Sequence, residues 1–192
     1  MQLPQLKKDD VTEKLSFAER RLHELFSLND GDLPGADSSM RQQLVQEFFF
    51  HLVSATEVLA QFVNEVRKLG IEAKDASVPL VSNRLSHCDP IKARLASLHT
   101  ATRGQPLPSN PYDDDGYIFR ILNYRHQVTH RRRNPFFFSI YLGSASSRPH
   151  ETLLMLDPRD PNCGPSNRPA QDELRYMFQL VESRCKDILA LL

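Results

Sequence analysis

The chain has 192 residues and balanced charge, 24 Lys plus Arg against 24 Asp plus Glu, so one domain with its own core is expected, and no global field favours nucleic acid, a membrane or an acidic partner. Cys88, Cys163 and Cys185 are odd in number and widely spaced, which suggests neither a disulfide framework nor a zinc site. Met1 to Asp10 hold no apolar stretch of signal-peptide type and no run is long enough to span a bilayer, so a cytoplasmic protein is expected.

The first periodic segment, from about Asp10 to Leu28, places Val11, Leu15, Ala18, Leu22, Leu25 and Phe26 on one helical face and closes at Asn29-Asp30-Gly31. A second helix, capped by Ser38 or Ser39 and ending at Gly70, carries Leu44, Val45, Phe48, Phe49, Leu52, Val53, Leu59, Phe62, Val63 and Val66. Its apolar residues cover so much of the circumference that it is the expected central element. Residues 71 to 102 read as a broken helical pair, interrupted before Asp89, which can cap, and Pro90, which suits the first helical position. The Pro-rich stretch from Arg103 to Pro111 is a loop.

Asp113, Asp114 and Asp115 announce a third long helix running to about Arg133 and stopped by Pro135. A step of about 100° per residue puts Ile118, Ile121, Leu122 and Thr129 on one face with Arg125 near its centre, and Arg120 roughly opposite. Asn123, His126 and His130 share a sector of about 60° beside that face. Phe136 to Leu142 and Glu151 to Asp157 are β-prone runs around Gly143 to His150, which together read as a hairpin. A loop from Pro158 to Pro169 leads to a last helix, Ala170 to Leu192, with Leu174, Met177, Phe178, Val181, Ile188 and Leu191 facing inward. The expected fold is therefore all-α: an up-and-down bundle of four to five helices, one domain over residues 1–192, with a hairpin inserted at about 136–157.

Charge is uneven along this plan. Between Gly116 and His150 there is no Asp or Glu, while Arg120, Arg125, Arg131, Arg132, Arg133 and Arg148 lie there with three histidines. Such a zone can attract a phosphate backbone on an otherwise neutral protein, although arginines at a helix C-terminus also favour the dipole and serve as a solvated end.

The segment Arg125-His126-Gln127-Val128-Thr129-His130 resembles the R-x4-6-H motif of the HEPN superfamily (higher eukaryotes and prokaryotes nucleotide-binding), and the all-helical layout with the motif late in the chain is similar as well. His126 stands where asparagine or aspartate is more familiar, and Arg120 with His126 offers a second frame of the same type. The resemblance implies a metal-independent endoribonuclease in a toxin–antitoxin, phage-defence or RNA-processing role, with RNA as substrate, no cofactor and an antitoxin or regulatory protein as a possible partner. Members that have lost catalysis and only bind are the alternative.

Such cleavage needs a group to take the 2′-hydroxyl proton, a group to protonate the leaving 5′-oxygen, and charge to stabilise the phosphorane. Histidine suits the proton transfers and an arginine fork suits the phosphorane. On this reading His130 is general base or acid, Arg125 the phosphate clamp, and His126 with Asn123 supporting groups; Arg120, Arg131, Arg132 and Arg133 hold RNA. The products end in a 2′,3′-cyclic phosphate and a 5′-hydroxyl. A symmetric homodimer is expected, because a two-fold axis would bring His130 and Arg125 of both chains around one cleft. Two competing expectations remain: Arg125 serving only as a structural ion pair with Glu47 or Glu57, and a metal-binding bundle built on His23 with Glu19 plus His51, His87 or His99.

Overall fold

The computed structural model describes residues 8–27, 38–99, 108, 110–126, 136–141, 150–156 and 165–192. Six helices account for most of them: α1 (Lys8–Ser27), α2 (Ser38–Val66), α3 (Val78–Arg84), α4 (Pro90–Ala96), α5 (Asp114–His126) and α6 (Ala170–Leu189). The fold is all-α in the main, as expected. The count exceeds four to five because the broken pair resolves into two separate seven-residue helices.

Partner positions across helix pairs show how the bundle is laid. Arg21 of α1 pairs with Glu47 of α2 and Phe17 stacks near His51, so rising numbers on one helix meet falling numbers on the other. The same antiparallel relation joins α5 to α6 through Arg120–Glu173 and Tyr117–Tyr176, and α4 with its C-cap Ser97 to α6 through Arg94–Asp187 and Ser97–Arg184. α2 supplies the centre of the core: Val45, Phe48, Phe49, Leu52, Leu59, Ala60 and Val63 are fully buried, against Val11 and Ala18 of α1 and Leu174 and Met177 of α6. At about 1.5–3 kcal/mol for each large apolar side chain removed from water, this cluster is the main stabilising term. Leu191, expected to face inward, is instead about two-fifths exposed just past the end of α6, as is Val66 at the last position of α2.

Helix starts follow local chemistry. The Asp89 carboxylate accepts from the Ile91 amide at 2.9 Å with Pro90 in the first turn of α4. Asp113 Oδ1 accepts from the Gly116 amide at 2.7 Å and opens α5. α2 ends at Val66, and the chain leaves through Lys68 and Gly70, both with positive φ.

The hairpin forms as β1 (Phe136–Tyr141) against β2 (His150–Leu156), antiparallel with Tyr141 opposite His150 and Phe136 opposite Met155. A third strand, β3 (Pro165–Pro169), pairs with β2 and runs directly into α6. The sequence reads that stretch as loop because two prolines frame it; a proline at each end of a short edge strand is tolerated where no ladder donor is needed.

Candidate functional site

Helix α5 carries the two arginines in different surroundings. Its first half is buried on nearly every side, Gly116 through Ile121 together with Tyr124. Gly116 admits the chain here: a Cβ at this position would lie 2.2 Å from the Asn110 carbonyl oxygen and 2.6 Å from the Pro111 carbonyl carbon. Arg120 is only 1% exposed. Its Nη1 and Nη2 donate to the two Glu173 carboxylate oxygens at 2.8 and 2.9 Å, and Nη2 also reaches the Tyr124 hydroxyl at 3.2 Å. The guanidinium carbon lies 5.3 to 5.7 Å from the ring centres of Tyr112, Tyr117 and Tyr124. Burial alone works against the charge, but the hydrogen bonds Arg120 donates to Glu173 and Tyr124, with the charge attraction of Glu173, prevail and hold it more firmly protonated than usual.

This placement corrects the helical-wheel reading. Arg120 does not point away from the core, and a side chain so enclosed has no route to an RNA phosphate, so it is withdrawn from the RNA-contacting set. The buried face is centred nearer Tyr117, Arg120 and Tyr124 than Arg125, because the tyrosine rings pack as hydrophobes and Glu173 neutralises the one charge among them. The signal was present on the other helix: Glu173 lies four residues before Met177 and eight before Val181, on the inward stripe of α6.

Around this pair the seam continues. Arg168 donates to the Tyr117 hydroxyl at 3.0 Å and lies 4.3 Å over the Tyr112 ring. Tyr176 and Arg184 of α6 both reach the Asp114 carboxylate, at 2.8 and 3.0 Å, at the positive end of α5. Burial beside Glu173 pushes the Tyr117 phenol up from its ordinary range, and the hydrogen bond to Asp114 does the same for Tyr176.

The last turn of α5 is different. Arg125 is about one-third exposed and its Nη2 stands 4.0 Å from a Glu57 oxygen. It opens onto a cleft of about 310 Å³ whose other walls include Thr56 and Glu57 of α2, Ser77 ahead of α3, His99 after α4, and Leu122. The ordering of these walls is local: the α4 C-cap and the following turn, where the His99 amide bonds the Ala96 carbonyl at 3.1 Å, carry the imidazole to the cleft. Burial pulls the His99 pKa below its ordinary value, and a hydrogen bond to its own backbone opposes this more weakly.

Of the other predicted site residues, Asn123 is half-buried and its amide donates to the Phe119 carbonyl at 2.8 Å, one turn back on its own helix. His126 is exposed on the final turn and does not line the cleft. His130, Arg131, Arg132 and Arg133 lie outside the described residues, as does the expected extension of the helix beyond His126. His99, which the sequence offered only as a metal ligand, is the histidine that shares the Arg125 cleft among the described residues. Among the described residues no three His, Cys, Asp or Glu side chains are grouped to hold a metal ion, and no helix is long and apolar enough to cross a membrane.

Comparison with protein-family models, curated proteins and solved structures finds no match to the chain.

Proposed function

We propose that the protein is a metal-independent endoribonuclease of HEPN type, in which Arg125 clamps the scissile phosphate and histidine side chains move the protons. The observation that carries this reading is the position of Arg125: a partly exposed guanidinium at the mouth of a cleft it shares with an imidazole and two hydroxyl-bearing residues. Such a fork offers paired donors to the oxygens of a phosphorane and a charge that cannot be lost at working pH. The cleft also brings together groups capable of proton transfer without presenting a cluster of carboxylates of the kind that binds Mg²⁺. Two chains meeting near the ends of α5 across a two-fold axis belong to the same proposal, since their clefts would form one longer surface for RNA.

Arg125→Ala is expected to lower cleavage of single-stranded RNA by about 10²–10³-fold, the cost of removing one such stabilising donor group. Activity should persist in excess EDTA and leave 2′,3′-cyclic phosphate ends. A folded Arg125→Ala protein that cleaves at the parental rate sinks the reading, and loss of activity on chelation points to a metal route instead.

The Glu57 carboxylate beside Arg125 favours a second reading. A negative charge at the clamp opposes a phosphate, which suits a module that keeps the bundle and binds a partner without turnover. Wild-type protein that binds RNA or a partner protein and yields no cleaved product would select it.

A further inference from the structure

We propose that His99 is the group that takes the proton of the attacking 2′-hydroxyl in the phosphodiester held by Arg125. This rests on the ribonuclease reading above and deepens it by assigning a residue outside the α5 motif.

The geometry narrows the choice. Among the described histidines, His99 alone lines the cleft with Arg125. His126 is exposed outside it, His87 is exposed beside Cys88, His51 packs against Phe17 on the α1 side of the bundle, and His23 lines a separate cavity between α1 and α2. A cavity of 310 Å³ is about 8 Å across if taken as a sphere, near the lower end of small-molecule sites, so groups on its walls can reach one phosphodiester and the ribose attached to it. The two side chains enter from different elements, Arg125 from the last turn of α5 and His99 from the turn after α4, which lets one hold the phosphate while the other addresses the sugar.

The imidazole is also in a suitable state. Partial burial favours its neutral form, and the charged groups facing the same cleft among the described residues are Glu57 and Arg125, neither of which enters as a cause of its shift. A neutral imidazole keeps one ring nitrogen as an acceptor. In the proposed step that nitrogen accepts the 2′-hydroxyl proton as the 2′-oxygen bonds to phosphorus. The bond from phosphorus to the 5′-oxygen breaks, and that oxygen departs with a proton from a second proton-transfer group, a general acid distinct from His99. No water, metal or redox partner is consumed, and the cyclic phosphate is the product.

The test compares wild type, His99→Gln and Arg125→Ala on a labelled single-stranded RNA of mixed sequence, reading binding by fluorescence anisotropy and turnover separately. His99→Gln is expected to lose about 10²–10⁴-fold in kcat, the usual worth of a positioned acid–base group, with KM and anisotropy nearly unchanged. It should also lose the acidic limb of the pH profile, which in wild type lies below the ordinary histidine value. Arg125→Ala should lose binding as well as turnover. His99→Ala supplies the check on folding: a rate restored by added imidazole supports the assignment. His99→Gln cleaving at the parental rate with the acidic limb intact overturns His99 as the base while the nuclease reading stands. Wild-type protein that yields no cleaved RNA overturns both.

Discussion

Arg120 and Arg125 lie on the same helix, yet α5 treats them in opposite ways. Arg120 meets Glu173 in a bidentate pair of which 1% and 0% of the two side chains is exposed, enclosed by three tyrosines. Arg125 faces Glu57 at 4.0 Å with 34% and 48% of the side chains exposed. The first pair has surrendered all its water, so each member depends on the other. The second keeps much of its hydration and can exchange its partner for a ligand. Charge type alone therefore says little about role; the dielectric surroundings and the number of donors already engaged decide it.

The sharpest way to break this comparison is to strand one member of the buried pair. Arg120→Met or Glu173→Leu leaves an uncompensated charge in the core and is expected to cost about 3–5 kcal/mol, whereas the double change to two apolar side chains should recover most of that loss. Urea unfolding of the three variants checks it. Single variants within about 1 kcal/mol of wild type would mean that water reaches the seam, and Arg120 would return as a surface residue.

Gly116 sharpens the same contrast at smaller cost. In Gly116→Ala the new methyl meets backbone atoms of Asn110 and Pro111, which cannot swing aside as a side chain would. The entry turn must shift, at about 1–3 kcal/mol. A melting temperature equal to wild type would show that the turn yields freely and that the close fit at the start of α5 contributes nothing to holding Arg120 in place.

Much of the fold was legible because apolar spacing survives translation into structure. The inward faces of α1, most of α2 and α6, the Asp89 cap and the β1–β2 hairpin all follow from period and capping residues. α5 was misread for a definable reason: tyrosine and arginine count as polar on a helical wheel, whereas Tyr117, Tyr124 and Arg120 bury together once Glu173 supplies the counter-charge. β3 escaped because its prolines signal loop. Within the candidate site, the helical wheel puts Arg125 at the centre of the apolar face, whereas the structure puts it at the edge of the buried arc, where it reaches a cleft. His99 was unreadable as its neighbour, since contact between the turn after α4 and the end of α5 is a product of tertiary packing and leaves no local pattern.

The smallest expected effect bears on whether Arg125 is held for structure or kept for a ligand. Glu57→Gln preserves the shape of the side chain and removes its charge. For an ion pair this exposed the stability at stake is about 0–1 kcal/mol, so the variant should melt within a few degrees of wild type. Its effect on an arriving phosphate has the opposite sign. A phosphate held by the clamp lies roughly 6–8 Å from that carboxylate, where repulsion in water-like surroundings is about 0.5–0.7 kcal/mol, so its removal should tighten RNA binding by about two- to threefold. The gain should shrink as salt rises, because a half-exposed charge is screened over about 10 Å at moderate ionic strength. Anisotropy titrations of wild type and Glu57→Gln at two salt concentrations, beside their thermal melts, separate the cases. A variant that loses several kcal/mol of stability makes Arg125 a structural partner like Arg120, and the distinction between the two ends of α5 fails. One that is equally stable but binds RNA no more tightly removes this cleft from the path of the RNA.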